Sequence, residues 1–274
     1  MSFDPGALAR ELAAAYSAGS PIATPLSARD ASFDLAAAYA VEAELARFRL
    51  AKGHSPVGRK VGFANKAMWR ILKLDTLVWA HMYDDTVWNA PDNQAMLSIA
   101  NRVAPRLEPE IVFGLKAAVP AGLTDPVEIL QAVDWIALGF EINDCVFPDW
   151  KFQPADFVAA YGFHTALAIG ARHHVNADNV AVLAAALPSF TLKLSKGDDV
   201  VDEGSGKASL GSPALCLGEL ASAVVRQGAE PLAAGEIIST GTLTNPQPIA
   251  AGDVWRADVA GIDLPSLTVR IISA

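Results

Sequence analysis

Two acidic stretches interrupt apolar, strand-like sequence near the middle of the chain. Glu108 and Glu110 lie in RLEPEIVF at residues 106–113, and Glu141 lies in GFEIND at residues 139–144. In a β-strand, residues i and i+2 point to the same face, so Glu108 and Glu110 are expected to project side by side. Two ionised carboxylates on a half-buried face repel each other and are costly to desolvate, and a bound divalent cation offsets both effects. The pattern predicts a metal site to which Glu141 supplies a third ligand.

The expected metal is a hard cation. Three carboxylates with no Cys or His beside them suit Mg²⁺ or Mn²⁺ better than zinc. The alternative interpretation of a Glu-x-Glu pair is a solvated strand face. The metal interpretation is favoured because the pair interrupts an apolar run that contains Leu107, Ile111, Val112 and Phe113.

The composition indicates a globular enzyme. The chain has 274 residues, of which 52% are hydrophobic and 19% are charged, enough for one large domain or a domain with an accessory lobe. The net charge of −9 argues against binding to nucleic acid or to anionic membranes. No run of about eighteen apolar residues and no signal peptide is visible, so we expect a cytoplasmic protein. Cys145 and Cys216 lie in apolar surroundings and are expected to be reduced and buried.

The elements that must position the acidic residues fall into two blocks. Residues 1–80 are mainly helical, with Leu8, Leu12 and Tyr16 at helical spacing, a helix at about 33–52 and a short strand at 57–63. Residues 81–274 consist largely of short strands and loops that contain proline. We therefore predict an α+β fold in which an N-terminal helical lobe (1–80) and a catalytic β-roll body (81–274) form one integrated unit.

Three local signals lie within the body. Asp125 is a typical N-cap and Pro126 a typical first helical residue, which predicts a helix from Pro126 to about Leu138. Residues 191–201 alternate and turn at KGDD, which predicts a hairpin. Pro213 is expected to open a helix that ends near Gly228, and residues 236–272 are expected to form several short strands.

Five segments, two of which contain the acidic residues above, have an order and spacing that resemble one known family. They are VGRKVGF at 57–63, PRLEPEI at 105–111, EI at 141–142 with DW at 149–150, LGSP at 210–213 and LAAGEIISTGTLT at 232–244. Together they resemble the 2-keto-4-pentenoate hydratase and 4-oxalocrotonate decarboxylase branch of the fumarylacetoacetate hydrolase superfamily. Each motif alone is weak, and the resemblance rests on finding all five in sequence.

This resemblance implies a twisted mixed β-roll with the helical region packed against it, and a Mg²⁺ or Mn²⁺ site made by the three carboxylates. It also implies that Lys60 faces the site, where it would anchor a substrate carboxylate or assist proton transfer; the alternative is a solvated surface lysine. Arg59 alternates to the other face and is expected to be structural. Asp156 and Thr244 become candidates for substrate binding, although a hydroxyl such as that of Thr244 also serves as a hydrogen-bonding group at strand ends.

The chain departs from the family pattern at several positions. Val78 stands where hydratases carry a candidate acid–base aspartate, with Asp75 and His81 as nearby substitutes, and Asp85 matches a later aspartate of the family. We therefore take Lys60, Asp75, His81 and Asp85 as the candidate catalytic residues. The other departures are at Glu42, Val146, Tyr161 and Asn245.

The resemblance and the departures leave three functions open. The first is a metal-dependent lyase that hydrates or decarboxylates a small 2-oxo acid or 2-hydroxydienoate through a metal-stabilised enolate. The second is a C–C bond hydrolase, which needs a His–Glu arrangement that the sequence does not reveal. The third is a non-catalytic metal-binding subunit in a complex with a related hydratase or decarboxylase. His81 and His164 are candidate polar groups of the pocket, and a structural histidine explains each equally well. Family members usually form homo-oligomers, and we expect the same here.

Overall fold

Eight α-helices lie within residues 3–273, the part of the chain that the computed structural model describes. They are α1 (Pro5–Ala18), α2 (Leu26–Arg29), α3 (Leu35–Ala51), α4 (Lys66–Leu72), α5 (Pro126–Leu130), α6 (Pro154–Ala159), α7 (Val180–Ala186) and α8 (Pro213–Arg226). Asp4 and Asp34 accept hydrogen bonds from backbone amides in the first turns of α1 and α3, which stabilises both helix starts. The predicted helical character of the N-terminal region is confirmed.

The strands form two sheets. They are β1 (Pro56–Gly62), β2 (Val78–Tyr83), β3 (Val87–Asn89), β4 (Gln94–Ser98), β5 (Pro105–Leu115), β6 (Val133–Asp144), β7 (His164–Ile169), β8 (His173–His174), β9 (Thr191–Lys196), β10 (Asp199–Ser205), β11 (Ile237–Thr242), β12 (Gln247–Pro248), β13 (Val254–Ala260) and β14 (Leu267–Ile272). The larger sheet has the order β2-β1-β11-β5-β6-β7-β3, with β12 on β5 and β8 on β6, and the smaller has the order β10-β9-β13-β14-β4. The predicted hairpin at 191–201 is β9 and β10, and the predicted strands after residue 236 are also present.

The larger sheet curls back on itself because the strands at its two ends are adjacent in sequence. β2 and β3 lie at opposite ends of the strand order, and only residues 84–86 join them. In that turn, the carbonyl of Thr86 accepts a hydrogen bond of 2.8 Å from the backbone N–H of Leu167 in β7. β1 pairs with β11 in parallel and β3 with β7 in parallel, whereas β5 and β6 are antiparallel. This arrangement is the mixed β-roll of the predicted α+β class, which is confirmed.

One predicted helix is largely a strand. The helix expected from Pro126 to about Leu138 ends at Leu130, and β6 begins at Val133. β6 is hydrogen-bonded to β5 from residue 133 to residue 144 and to β7 on its other side. The capping signal at Asp125 was read correctly, but pairing with distant strands overrides the local pattern, because Val133, Trp135 and their neighbours bury both faces of a central strand.

The N-terminal helices pack onto the body and are continuous with it. α1 and α3 share a buried apolar cluster with residues 145–163. The hydroxyl of Tyr16 in α1 donates to the carbonyls of Asp144 and Ala160, at 2.8 and 3.1 Å. β1 lies inside the larger sheet, and the boundary predicted at residue 80 falls within β2. The two predicted blocks therefore share one sheet.

One helical stretch, Gly206–Arg226, is long and apolar enough to cross a membrane by length and composition. Most of that stretch is buried inside the protein, as expected for a core helix that packs against α5 and β11.

Both cysteines are reduced and buried, as predicted. Burial raises the pKa of each thiol to about 12, so the reactive thiolate is scarce near neutral pH. We expect neither thiol of the native protein to react with an aromatic disulfide reagent at pH 8, and both to react after unfolding in guanidinium chloride. Rapid stoichiometric labelling of the native protein would contradict the burial of these side chains.

Candidate metal centre

The three predicted metal ligands lie together on one strand pair. β5 and β6 are in a register that places Glu108 directly opposite Glu141, and Glu110 lies two residues further along the same face of β5. One oxygen of each carboxylate lies within 4.8 Å of one oxygen of the other two. Glu110 and Glu141 are fully buried. The structure therefore brings together all three residues of the predicted cage.

Each buried carboxylate is fixed by neighbouring donors. Oε2 of Glu110 accepts hydrogen bonds from the backbone N–H of Gly241, at 2.8 Å, and from the hydroxyl of Ser239. Oε1 of Glu110 is buried and has no hydrogen-bond partner among the described residues. Glu141 accepts from Asn143 Nδ2 at 3.1 Å, and its Oε1 lies 2.8 Å from His164 Nδ1. These contacts orient the cage and leave one buried oxygen free for a ligand.

Lys60 is a buried member of the site and not a solvated lysine. Its Nζ lies 3.0 Å from Glu141 Oε2 and donates to Asn143 Oδ1 at 2.8 Å and to the carbonyl of Gly162 at 2.9 Å. Nζ also lies 4.9 Å from the centre of the Phe157 ring. Burial favours the neutral amine, but the charges of the nearby carboxylates outweigh it and raise the pKa of Lys60. The lysine therefore holds a permanent positive charge beside the cage.

Ionisation of all three cage carboxylates is unfavourable without a cation. Burial, reinforced by the charge of Glu141, raises the pKa of Glu108 to about 7, and burial with both neighbouring carboxylates raises the pKa of Glu110 well above its ordinary value. Burial opposes ionisation at Glu141 too, but Lys60 and His164 outweigh it and lower its pKa to about 2. A divalent cation would stabilise the ionised forms of Glu108 and Glu110, which burial and mutual repulsion disfavour. The oxygen donors and the unpartnered Glu110 Oε1 therefore fit a hard divalent metal.

Comparison with known proteins agrees with this geometry. A family model described as the C-terminal region of fumarylacetoacetate (FAA) hydrolase matches residues 79–271. The chain belongs to the fumarylacetoacetate hydrolase family. It is 28% identical over 206 residues to a 4-oxalocrotonate decarboxylase of Pseudomonas sp, which covers 75% of this chain and 76% of the relative. It is 29% identical over 224 residues to 2-keto-4-pentenoate hydratase 2 of Dechloromonas aromatica (strain RCB), which covers 82% of each.

One solved structure is similar over nearly the whole chain. The 4-oxalocrotonate decarboxylase from Pseudomonas putida G7, complexed with magnesium and adipate, matches with a TM-score of 0.87 and 25% sequence identity, over 98% of this chain and 97% of that one. The predicted membership of the hydratase and decarboxylase branch of the fumarylacetoacetate hydrolase family is confirmed by these relatives.

Three predicted catalytic residues do not lie with the cage. In the pairing of β1 with β2, Lys60 is opposite Ala80 and Arg59 is opposite His81, so His81 projects from the other face of the sheet. There its Nδ1 lies 2.6 Å from Glu42 Oε1. Asp85 forms an ion pair with Arg49. Asp75 is exposed just before β2. Contrary to the prediction, His81 therefore does not lie beside Lys60. The register between β1 and β2 decides which residues of β2 share a face with Lys60, and the sequence alone does not specify that register.

Asp156 has a structural role in place of the predicted contact with substrate. Its side chain is fully buried and accepts hydrogen bonds from the backbone N–H of Ser27, at 2.8 Å, from the Ser27 hydroxyl, at 2.5 Å, and from the backbone N–H of Gln153, at 2.8 Å. These contacts cap α6 and tie α2 to it. Both carboxylate oxygens of Asp156 therefore already accept hydrogen bonds from the protein, in contrast to the predicted contact with substrate.

Replacing this carboxylate should therefore affect stability and not catalysis. We expect Asp156→Ala to lower the free energy of unfolding by about 3 kcal/mol, because buried donors at Ser27 and Gln153 lose their acceptor. Urea unfolding measures the change, and Asp263→Ala, at a side chain that is 97% exposed, is the matched control. A selective rise in the KM of the folded variant, with unchanged stability, would restore the substrate-binding interpretation.

The remaining predicted residues have clear places. Arg59 is structural, as predicted: its Nη2 donates to the carbonyl of Glu230 at 2.8 Å, and its guanidinium lies over the ring of Trp79. Thr244 lies three residues after Gly241, which contacts Glu110, in a partly exposed loop, and its backbone N–H donates to Thr242 Oγ1. Its contact with substrate stays a prediction.

Sequence reasoning missed several members of the site. Asn143 lies two residues after Glu141 on the same strand face, and Ser239 is the residue of β11 that pairs with Lys60. A polar residue inside an otherwise buried strand was the available signal in both cases. His164, for which the sequence allows either a role in the pocket or a structural role, contacts Glu141 directly.

The wall beside Lys60 is apolar. Val78 is buried opposite Gly62, on the face of β2 that carries Ala80 and therefore on the side of Lys60. A Cβ on Gly62 would lie 2.4 Å from the Phe157 ring, so this aromatic side chain packs directly against the strand. Around it, four aromatic residues adopt left-handed backbone conformations. They are Phe63, Trp150, Tyr161 and Phe163. Such conformations are costly for bulky residues and often accompany functional sites.

Proposed function

We propose that this protein is a divalent-metal-dependent lyase that hydrates or decarboxylates a small 2-oxo acid or 2-hydroxydienoate. The observation that carries the proposal is the contact of a buried, charged lysine with a cage of three carboxylates. The relatives named as 4-oxalocrotonate decarboxylase and 2-keto-4-pentenoate hydratase support the reaction class. The structure of the 4-oxalocrotonate decarboxylase from Pseudomonas putida G7 with magnesium and adipate supports a divalent cation and a carboxylate ligand.

The residues divide into those that hold a cation and those that act on the substrate. Glu108, Glu110 and Glu141 would hold Mg²⁺ or Mn²⁺, which supplies a Lewis acid for negative charge that develops on the 2-oxo oxygen. Lys60 places a positive charge where the substrate carboxylate must approach the acidic cage. Asn143 donates to Glu141 and accepts from Lys60, so it fixes the two charged groups relative to each other.

Lys60 also has a limited capacity to move a proton. All three of its N–H bonds are directed at Glu141, Asn143 and Gly162, so it must release one of these partners before it donates to substrate. Its raised pKa keeps it protonated, which suits electrostatic stabilisation and general-acid behaviour better than general-base behaviour.

One further cation lies on the cage face. Arg106 precedes Glu108 by two residues on β5 and therefore points to the same face, and its guanidinium carbon lies 4.3 Å from the centre of the Trp150 ring. A dicarboxylate substrate needs a second positive group, whereas a dienoate with an apolar end suits the wall formed by Val78 and Phe157. Arg106 favours the decarboxylase branch of the proposal, and the apolar wall favours the hydratase branch.

C–C bond hydrolysis remains the alternative function and has less support. That reaction needs a His–Glu pair to activate water, and residues 3–273 contain two such pairs. His81 with Glu42 lies on the other face of the sheet. His164 contacts Glu141, but its second ring nitrogen lies 2.9 Å from Thr86 Oγ1 and is not free to bind water. Neither pair has the geometry of a water-activating base.

An ultraviolet assay tests the proposal. Consumption of 2-hydroxypenta-2,4-dienoate and of 2-oxohex-3-enedioate is followed with Mg²⁺, with chelator, and for the Glu108→Ala variant. We expect loss of the diene signal that needs metal and disappears in the variant, and the product shows whether water adds or CO₂ leaves. Tight metal binding without turnover of either compound would favour the third hypothesis, a non-catalytic partner subunit.

We also propose a cytoplasmic homo-oligomer. The support is the exposure of large apolar side chains such as Ile71 and Val182, which association of chains would bury. Complex formation with a related hydratase or decarboxylase is a further proposal of the same kind. Light scattering of the purified chain, alone and with such a relative, measures both.

A further inference from the structure

A cavity next to the metal centre shares one residue with its surroundings: His164 lines the cavity, and its Nδ1 lies 2.8 Å from Glu141 Oε1. The volume of the cavity is about 590 Å³, and it is bounded by α1, α3, the outward face of β2 and the start of β7. None of the three cage carboxylates lines it, and neither does Lys60. His81 and Tyr83 do, and these residues alternate along β2 with Ala80 and Met82, which face the other way. The cavity is therefore formed by a different surface of the sheet.

The cavity is basic in an acidic protein. Arg49, Lys52 and Arg102 line it, and Asp85 is its one acidic lining residue. Asp85 is paired with Arg49. Within residues 3–273, Lys52 and Arg102 have no carboxylate partner within 4.0 Å, and the Nε atoms of Arg49 and Arg102 are buried without hydrogen-bond partners. Because the whole chain carries a net charge of −9, this local positive excess points to an anionic ligand.

Several aromatic side chains also line the cavity, together with aliphatic and hydroxyl side chains such as Leu97 and Thr165. The rings of Tyr16, Tyr83 and Tyr161 surround one side, with Tyr161 in edge contact with both of the others. Tyr83 is 2% exposed, and its hydroxyl is buried and has no hydrogen-bond partner among the described residues. Buried hydroxyls are normally paired, so this group is expected to meet a polar atom of a ligand. Flat aromatic walls also suit a planar ligand.

We propose that this cavity binds a small aromatic carboxylate. Arg102 and Lys52 would receive the carboxylate, the tyrosine rings would contact the ring of the ligand, and the Tyr83 hydroxyl would donate to a ligand oxygen. The volume is within the range of small-molecule sites, roughly 300–1,000 Å³. The site is distinct from the one proposed for the 2-oxo acid, because binding here needs neither the cage nor a metal ion.

Calorimetric titration with 2-naphthoate tests this site. The titration is done in chelator on the Glu108→Ala protein, so that the metal centre takes no part. We expect saturable binding, with no detectable binding of 2-naphthamide, which lacks the charge, or of acetate, which lacks the rings. Absence of saturation, or equal binding of the amide, overturns the proposal.

Two variants locate the binding. Arg102→Gln should weaken 2-naphthoate at least about tenfold, because a charge-assisted hydrogen bond is lost. Tyr83→Phe, which removes a single hydroxyl, should weaken it by a smaller factor and keeps the test valid if Arg102→Gln folds poorly. Arg47→Gln is the matched control, since Arg47 lies on α3 near Arg49 but is exposed and pairs with Glu44. Binding that neither variant weakens places the ligand elsewhere and overturns the assignment.

Discussion

Glu110→Gln is expected to lose metal binding and, in the absence of metal, to unfold at a higher temperature than the natural protein. The amide keeps the shape of the side chain but removes a buried charge that burial and two neighbouring carboxylates disfavour. Metal affinity and metal-dependent turnover should each fall by a factor of about 100 or more, as for loss of a ligand or a group that orients one.

These two changes have opposite signs, which makes the prediction specific to a cage. Titration with Mn²⁺ measures the affinity, and thermal unfolding in chelator measures the stability. Glu128→Gln, at an exposed position in the first turn of α5, is the matched control and should alter neither. A variant that is less stable in chelator and still binds metal would show that Glu110 is a structural carboxylate held by Ser239 and Gly241.

Lys60→Met should abolish turnover without weakening metal binding. The substitution removes a positive charge that repels a cation, so affinity for Mn²⁺ should stay the same or rise. Turnover should fall by a factor of about 100 to 10,000, the range for loss of a positioned acid or charge. The variant should also lose roughly 3–5 kcal/mol of stability, because Glu141 becomes a buried carboxylate without its ion-pair partner.

Metal titration and steady-state kinetics separate this result from that of the cage variant. Lys66→Met, in the exposed first turn of α4, is the control for loss of one lysine. Lys60→Arg is not expected to rescue activity, because Lys60 Nζ is enclosed by Glu141, Asn143 and the Gly162 carbonyl, and the larger planar guanidinium would have to displace one of them. Full activity of Lys60→Met would remove the lysine from the proposed reaction.

The metal-binding carboxylates could be predicted from the sequence because all three lie in two short strand-like segments. The spacing of Glu108 and Glu110 sets them on one face, and a third carboxylate in apolar sequence needs a partner wherever it lies. The family resemblance then placed Lys60. What could not be predicted are relations between distant strands: the register that puts His81 on the opposite face from Lys60, and the pairing that turns residues 133–138 from a helix into β6.

The roles of single polar residues could not be predicted from the sequence either. An aspartate that caps a helix and one that binds substrate look alike in sequence, and Asp156 proved to be the former because Ser27 folds against it from 129 residues away. The His164 contact with Glu141 depends on a bulge between β6 and β7, which changes the parity of the strand at that point. Local patterns carry no information about such irregularities.

The register of β5 and β6 has a consequence for how this protein can change over evolution. All three cage carboxylates belong to one antiparallel strand pair, whereas the groups that we propose to surround the substrate come from β1, β2, α6, the segment just before β7 and the loop after β11. A lineage can therefore exchange the residues of the wall, as at Val78, without rebuilding the place where the cation sits. New substrates become accessible through single mutations that the metal chemistry tolerates, and engineered selectivity should be sought at those same wall positions.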